Sequence, residues 1–384
     1  MVHSYVLYPL LLQLLASGKQ QNQVVFTADD ANLPMLYIVF AAYNEERILR
    51  QKLESVFATT YPVHKFSVLV GSDNSSDSTN AILAEFAAKH AQLNWVNFPG
   101  RTGKSGIVNQ LVASLQQQYN LGAESAFVFT DANVLFTPAT LFQLAKHFRN
   151  PAIGQVGANV LNRGMQADGI SVQEEAYIQR ENRIKYWEGL NWGTMMGAFG
   201  ACYAMRCNLW TPIPKAFLME DFFLSLHILK TGSKAIFEMQ AVCYEDVSNE
   251  LQEEYKRKTR IQAGNWQNLG VYWPLLLKPG ALSFTFLSHK VLRWLGPVFI
   301  ALAYGSNLAL IAYSPFYLTT FVIQNLFLIS PVLDGLLNRI GIHNRLLRFV
   351  AYFCSMNMAL VSGFIMYAKG INTSAWSPTK RNLD

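Results

Sequence analysis

An uncharged stretch from Trp294 to Leu333 constrains this fold more than any other feature of the chain. A helix that crosses a lipid bilayer needs about 20 apolar residues, so this stretch is long enough for two crossings. Ser314-Pro315 supplies a turn between them. A buried core helix is the alternative explanation for any single apolar segment, but the length of this stretch favours membrane helices.

Two shorter apolar segments lie outside this stretch, one towards each end of the chain. Residues 349–368 are uncharged and of spanning length, so we expect about three transmembrane helices in residues 295–370, with interfacial helices in residues 271–294. Residues 5–16 are apolar but too short for a full span, and they lack the basic segment and cleavage site of a signal peptide. They predict a short membrane-associated helix within residues 1–20.

Charges around the apolar stretches predict the orientation. The loop between the second and third stretch carries three arginines and one acidic residue: Arg339, Arg345, Arg348 and Asp334. Basic loops face the cytoplasm, so the loop and the domain two spans before it are expected on the cytoplasmic side of the cell inner membrane. Lys369, Lys380 and Arg381 indicate the opposite, because three crossings would place them outside.

Alternating strand and helix patterns precede the membrane part. Four short apolar runs are separated by helical periodicity: Met35–Ala42, Phe66–Gly71, Trp95–Phe98 and Ala126–Thr130. Repeated strand–helix units predict a mostly parallel α/β sheet that is covered on both faces. No linker separates this part from the residues that follow, so residues 33–270 are predicted to form one cytoplasmic domain. Asn44 is expected to cap the first helix.

Polar side chains follow the predicted strands. Asn44, Asp73 and Asp131 each lie just past a strand end, where ligands of parallel sheets bind. Asp131 and Asn133 suit a Mg²⁺ or Mn²⁺ ion shared with a diphosphate, although a simple turn aspartate is the alternative. Glu220 and Asp221 begin a helical pattern, a position at which carboxylates commonly stabilise the helix dipole.

Two basic segments bear on phosphate binding. GRTGKS at residues 100–105 resembles a P-loop, but Phe98 stands where the motif requires glycine, which argues against nucleoside triphosphate hydrolysis. Arg101 and Lys104 in this turn can still contact a nucleotide. Residues 256–293 contain seven basic residues and no acidic one: Lys256, Arg257, Lys258, Arg260, Lys278, Lys290 and Arg293. The first four could neutralise a diphosphate or form a solvated face, whereas the last two fit a lipid interface.

Seven motifs occur in a fixed order: AAYNEE (41–46), SDNSSDST (72–79), GRTGK (100–104), DAN (131–133), GAFGACYAMR (197–206), ED (220–221) and QAGNW (262–266). Together they resemble those of membrane-integrated family 2 glycosyltransferases, the relatives of cellulose, hyaluronan, chitin and poly-N-acetylglucosamine synthases. SHKVLRW at 288–294 also resembles the interfacial segment of these enzymes. The resemblance implies a Rossmann-like GT-A domain followed by C-terminal transmembrane helices.

The resemblance also implies roles for single residues. Asp73 resembles the carboxylate that binds uridine, Asp131 resembles the first acid of the DxD motif, and Asp221, beside Glu220, resembles the general base. The donor side is then expected to comprise Ala41, Tyr43, Glu45, Asp73, Arg101, Lys104, Asp131 and Arg260. The acceptor side is expected to comprise Phe199, Gly200, Gln262 and Trp266.

Two positions depart from the family pattern. The DxD motif reads DAN, with Asn133 as its last residue, and Asn265 replaces the arginine of QxxRW. That arginine would help to neutralise the leaving diphosphate, so Arg257, Lys258 or Arg260 would have to take its place.

The implied activity is an inverting transfer of a hexose or N-acetylhexosamine from a UDP-linked donor to a growing glycan at the membrane. One alternative is a single transfer to a lipid carrier, and another is a catalytically degenerate membrane scaffold. The expected partners are a nucleotide sugar, a glycan or lipid-linked acceptor and the bilayer, and not a nucleic acid.

Overall fold

The computed structural model describes residues 2–163, 171–246 and 251–375. The strands in this part of the chain are β1 Met35–Ala42, β2 Phe66–Ser72, β3 Leu93–Asn97, β4 Ser125–Thr130, β5 Leu135–Phe136, β6 Ile153–Arg163, β7 Cys202–Arg206 and β8 Lys234–Asp246. The α-helices of the domain are α1 Tyr8–Ala16, α2 Glu46–Phe57, α3 Thr79–Lys89, α4 Lys104–Gln118, α5 Thr140–Ala145, α6 Ser171–Trp192, α7 Glu220–Lys230 and α8 Leu251–Tyr272. The remaining α-helices are α9 Ala281–Thr285, α10 Leu292–Trp294, α11 Gly296–Leu310, α12 Pro315–Arg339 and α13 Arg345–Ala368.

The described strands form one sheet in the order β3-β2-β1-β4-β7-β6-β8-β5. The first four of these strands are parallel, as the strand–helix alternation predicts. β7 runs antiparallel to both β4 and β6, and β5 runs antiparallel to β8, so the second half of the sheet is mixed. The predicted α/β class is confirmed.

Helices cover both faces of the sheet because its central strands are apolar throughout. In β1, Leu36 and Ile38 point to one core, which α2 and α3 close with residues such as Leu49 and Leu83. Val39 points to the second core, which α4 and α7 close from the other face. Burial of a strand on both faces explains its continuous hydrophobic run.

Asn44 does not cap α2, and this prediction is wrong. The helix begins at Glu46, and Asn44 itself adopts a left-handed backbone with φ of 52°. Its side-chain Oδ1 instead accepts a hydrogen bond of 2.8 Å from the backbone N–H of Ser76. Asparagine tolerates the left-handed region and readily bonds to nearby backbone, so here it ties two strand-end loops together.

Three C-terminal helical segments are long and apolar enough to cross a membrane: 296–313, 315–339 and 345–368. The predicted turn between the first two is confirmed, since the Ser314 hydroxyl accepts a hydrogen bond from Phe316 N–H at the start of α12.

α13 packs along α8 of the α/β domain. The Tyr255 and Ser362 hydroxyls lie 2.7 Å apart, and a Cβ added at Gly363 would lie 2.6 Å from Cβ of Gln262. Beyond α13 the chain returns to the domain, where the Ser374 hydroxyl lies 2.8 Å from that of Ser105 on α4. The C-terminal helices are therefore attached to the α/β domain at both ends.

The N-terminal helix has a buried face and an exposed face. Tyr8 and Leu12 form a small core with Ile184 of α6. Leu10 and Leu14 on the other face are exposed to the surroundings. This arrangement suits the predicted membrane-associated helix, because an exposed apolar face is more stable in contact with lipid than with water.

Candidate functional site

The turn between residues 100 and 104 joins the polar groups at the carboxyl ends of β1, β2 and β4. Asp73 directly follows β2, and its backbone N–H donates to Ala42 O at 2.8 Å. Asp131 directly follows β4, and its N–H donates to Ala201 O at 3.2 Å. Glu220 and Asp221 open α7 on the far side. The structure therefore brings the predicted acidic positions to one edge of the sheet.

Asp73 is fully buried and holds the turn at the start of α4. Its carboxylate accepts hydrogen bonds from Arg101 Nε at 3.1 Å, Thr102 N at 2.6 Å and Gly103 N at 3.1 Å. The Arg101 guanidinium also lies 3.3 Å from the ring centroid of Tyr43. These bonds hold the Asp73 carboxylate in one orientation beside the turn.

Lys104 bridges two carboxylates that come from different parts of the chain. Its Nζ lies 2.6 Å from Asp131 Oδ1 and 2.6 Å from Glu220 Oε1. Burial alone would lower the pKa of Lys104, but Asp131 and Glu220 outweigh burial and raise that pKa. The ammonium therefore stays charged and connects the end of β4 with the start of α7.

Asp221 is buried beside this bridge. Burial and the neighbouring charge of Glu220 raise the pKa of Asp221 to about 6, although Lys104 acts in the opposite direction. A carboxylate that titrates near neutral pH is suited to accept a proton in a reaction. A Cβ added at Gly200 would lie 2.9 Å from Asp221 Oδ2, so the predicted acceptor segment passes directly over the carboxylate. Phe199 is the adjacent residue.

Side chains of α8 fix the loop that leads into α7, and the sequence analysis missed them. Gln267 Oε1 accepts from Leu218 N at 3.0 Å, and its Nε2 donates to Ala216 O at 3.0 Å. Asn268 Nδ2 donates to Met219 O at 3.2 Å. These bonds set the position of Glu220 and Asp221, which follow Met219. The sequence signal that could have identified these residues is the pair of adjacent amide side chains, Gln267 and Asn268, within a helical pattern.

Gln262 and Trp266, predicted on the acceptor side, lie on the face of α8 that packs against α13. The Trp266 ring lies 5.1 Å from that of Phe364 at an angle of 65°. Gln262 Oε1 accepts from Asn265 Nδ2 at 3.2 Å. Within the described residues, Gln262 Nε2 and Trp266 Nε1 are buried without a hydrogen-bond partner. Their contact with an acceptor stays a prediction.

Of the three basic residues predicted to replace the family arginine, Arg260 is the one that interacts electrostatically with the acidic positions of the site. Burial lowers its pKa, while the charges of Glu220 and Asp131 oppose this shift, so both carboxylates lie within electrostatic reach. Its guanidinium donates to Ser374 O at 3.0 Å. Arg257 and Lys258 instead form ion pairs with Glu254 on their own helix: 2.8 Å and 3.1 Å respectively.

Ala41 and Glu45 complete the predicted donor side. Ala41 lies in β1 opposite Gly71 of β2, at the end of the parallel ladder. Glu45 is buried, and its N–H donates to Thr79 Oγ1 at 2.9 Å. Both residues therefore lie at the same sheet edge as Asp73.

Asp131 and Asn133 are the candidate metal ligands. Asn133 is buried, and its Nδ2 donates to Glu245 Oε1 at 3.3 Å. In the described ranges no group of three or more His, Cys, Asp or Glu residues could hold a metal ion. One carboxylate with one amide oxygen still fits Mg²⁺ or Mn²⁺, because such ions take most other ligands from substrate phosphates and water.

Comparison with known proteins identifies a family and several proteins to which this chain is similar. Residues 34–264 match the model of a family described as "Glycosyltransferase like family 2". Beta-monoglucosyldiacylglycerol synthase of Trichormus variabilis is 28% identical over 255 residues, which cover 64% of this chain and 52% of that protein. The protein of the same name from Synechocystis is 27% identical over 184 residues, covering 45% and 37% respectively. This chain spans about half the length of the former relative.

A mannosyltransferase of Pyrobaculum calidifontis, solved with GDP-Man and Mn²⁺, superposes with a TM-score of 0.71 and covers 94% of both chains at 18% identity. At this level of identity the superposition establishes a shared fold.

Proposed function

Because the chain belongs to the glycosyltransferase-like family 2, we propose that it transfers a hexose with inversion from a nucleoside diphosphate sugar to a membrane lipid. The observation that carries this proposal is the Lys104 bridge between Asp131 and Glu220, directly beside Asp221. It joins the predicted diphosphate-binding carboxylate to the helix that carries the predicted base. The catalytic domain has the GT-A fold.

The donor occupies the side of the site formed by β1, β2 and α4. Tyr43 and Arg101 form a stacked pair that can flank a base, and Asp73 can accept a hydrogen bond from it. UDP is the nucleotide we propose. Arg260 and Lys104 supply positive charge for the diphosphate, as charge-assisted bonds to phosphate require.

Asp221 acts as the base in a single displacement. It removes the proton from the acceptor hydroxyl while that oxygen bonds to the anomeric carbon and the nucleoside diphosphate departs. Attack from the side opposite the leaving group inverts the anomeric configuration. A pKa near 6 keeps Asp221 ionised at neutral pH and still basic enough to take the proton.

Asp131 and Asn133 would hold the divalent cation. When bound, Mg²⁺ or Mn²⁺ supplies charge that stabilises the departing diphosphate. Asp131 also orients Lys104, whose ammonium can turn towards phosphate oxygens when the donor arrives.

A lipid acceptor is favoured over a growing glycan by two observations. Three of the similar proteins are named beta-monoglucosyldiacylglycerol synthase, and the α/β domain packs directly against the apolar helix α13 through α8. Both alternatives use the same catalytic residues. A degenerate scaffold is disfavoured, because Asp73, Asp131 and Asp221 all occupy the sheet edge. We propose that this edge faces the cytoplasm at the inner membrane.

The test uses the purified full chain with a panel of UDP and GDP sugars, diacylglycerol or phospholipid vesicles, and Mn²⁺. We expect nucleoside diphosphate release and a lipid product that carries one sugar, with Asp221→Asn as the inactive control. Products with a long ladder of sugar additions would support the growing glycan instead. Donor binding without transfer or hydrolysis would overturn an enzymatic role.

A further inference from the structure

Lys185 of α6 is a buried cation whose contact in the described residues is an aromatic ring. The residue is only 3% exposed, and no hydrogen bond or ion pair of its ammonium is seen among the described residues. Its Nζ lies 3.2 Å from the ring centroid of Phe199, the residue beside Gly200. An ammonium buried against an aromatic face gains a cation–π interaction but lacks the oxygen partners that water would provide.

The carboxylates of its own helix are committed elsewhere. Glu181, one turn earlier, contacts His289 Nε2 at 2.9 Å and Lys290 Nζ at 3.3 Å. Glu188, one turn later, accepts from Tyr8 OH at 2.8 Å and lies 2.6 Å from His289 Nδ1. These contacts leave Lys185 as the unpaired charge of the cluster.

Burial and the charge of Lys290 lower the pKa of Lys185 to about 7, while Glu181, Asp221 and Glu188 act in the opposite direction. Removing an unpaired charge from water costs several kcal/mol, so an arriving anion would stabilise the charged form strongly. Buried charges of this kind concentrate at functional sites.

The position of Lys185 places it on the acceptor side. Phe199 and Gly200 cover Asp221, and Lys185 contacts Phe199. The adjacent Ile184 packs against the membrane-associated helix α1. Lys185 therefore lies between the proposed base and the part of the protein that is expected to meet lipid.

We propose that Lys185 binds the phosphate of a phospholipid acceptor whose headgroup hydroxyl receives the sugar. Lysine suits phosphate as a compact point charge, whereas bidentate carboxylate recognition favours arginine. In the reaction the hydroxyl oxygen bonds to the anomeric carbon, its proton passes to Asp221, and the nucleoside diphosphate leaves. The phosphate of the lipid is unchanged. This inference rests on the proposed function and narrows its acceptor to phosphorylated lipids with a free polyol.

Two acceptors and three variants test it. The full chain is assayed with phosphatidylcholine vesicles that contain either phosphatidylglycerol or diacylglycerol, in wild type, Lys185→Met, Lys185→Arg and the surface control Lys89→Met. We expect Lys185→Met to raise KM for phosphatidylglycerol at least about tenfold with little change in kcat, since a hydrogen bond to a charged group contributes more than one between neutral groups. The diacylglycerol reaction should be unchanged, and Lys185→Arg should restore part of the affinity.

Binding is measured separately from turnover. Glycerol 3-phosphate should compete with phosphatidylglycerol in wild type and lose this effect in Lys185→Met, whereas inhibition by inorganic phosphate alone would assign the site to free phosphate and overturn a lipid-specific role. The unfolding temperature of Lys185→Met should not fall, because an apolar side chain replaces an unpaired charge.

A fall in that temperature, equal losses with both lipids, or no preference of wild type for the phospholipid would overturn the role of Lys185 alone. Donor hydrolysis without transfer to either lipid would overturn the proposed lipid acceptor as well.

Discussion

The proposed donor side and the proposed acceptor side of the site differ in how far the protein satisfies its own polar groups. On the donor side, Asp73 accepts three hydrogen bonds and Lys104 neutralises two carboxylates. On the acceptor side, Lys185 lacks an acceptor, and nitrogens of Gln262 and Trp266 lack partners in the described structure. In the described residues the carboxylates of the proposed donor side are thus held in place before any ligand binds, and Arg260 Nε is its one exception among the named groups, whereas the proposed acceptor side keeps several unpartnered donors.

This difference suggests how the two substrates are recognised. A preformed donor side loses little conformational freedom on binding, which favours a fixed position for the anomeric carbon. Unpartnered buried groups on the acceptor side discriminate strongly between acceptors. An acceptor that forms no hydrogen bonds to them leaves the free-energy cost of their burial uncompensated. Specificity for the acceptor should therefore depend on few residues.

The largest effect is expected from Asp221→Asn. The amide preserves shape but cannot take a proton, so turnover should fall by roughly 10²–10⁴-fold while donor affinity is retained. Steady-state kinetics and donor titration measure the two quantities. Asp30→Asn, on a surface pair with Arg149, is the matched control and should leave both unchanged. Near-normal turnover in Asp221→Asn would remove this residue from the role of base.

A smaller but clear loss is expected from Lys104→Met. The substitution leaves Asp131 and Glu220 without their shared cation, so donor KM should rise by about 10–100-fold, the usual scale for bonds to charged groups. Lys89→Met breaks an exposed pair with Glu85 and should leave both donor KM and the unfolding temperature unchanged. Similar effects of the two substitutions would contradict a preorganised donor side.

The pH dependence of kcat follows from the pKa of Asp221. Its pKa is raised to about 6, and only the deprotonated form accepts a proton, so kcat should fall as pH drops through this value. Below the pKa the loss approaches about tenfold for each pH unit. A profile of kcat against pH between about pH 4.5 and pH 8, recorded at saturating substrate concentrations, measures this loss. A flat profile down to pH 5 would assign the proton to another group.

The smallest effect is expected from Asn133→Asp. A second anionic oxygen strengthens a hard-cation site, so the Mn²⁺ concentration for half-maximal activity should fall several-fold. Metal titration of the chelator-treated protein measures it, and Asn133→Ser is the control without added charge. Unchanged metal dependence would place the cation away from Asn133.

The sequence was sufficient for features that depend on local pattern. The bounds of β1 follow from one apolar run, and Asp73 and Asp131 follow strand ends whose topology places them together. Features that depend on distant packing could not be predicted. Lys185 is an ordinary helical lysine until α6 is placed against Phe199. The packing of Trp266 against α13 depends equally on tertiary structure.

Lys52 combines both cases, because its unusual position is visible in the sequence but its contacts are visible only in the structure. It falls among Leu49, Leu53 and other apolar positions of α2, which is an anomaly visible in the sequence. Only the fold shows that its buried ammonium donates to Thr130 Oγ1 at 2.9 Å and Val134 O at 2.6 Å. The lysine thereby braces the turn that presents Asp131.

The attachment of the C-terminal helices at both ends has a consequence for membrane topology. The chain leaves the domain at Trp294, whose ring lies 5.9 Å from that of Phe222, and returns to it at Ser374. A path that starts and ends on one side of a bilayer crosses it an even number of times. Although all three segments are long and apolar enough to cross, we therefore propose that α11 and α12 form a crossing hairpin and that α13 stays with α8 on the side of the α/β domain. Lys369 then lies on the same side as Arg345, and the two opposing charge signals agree; Lys380 and Arg381 lie outside the described residues.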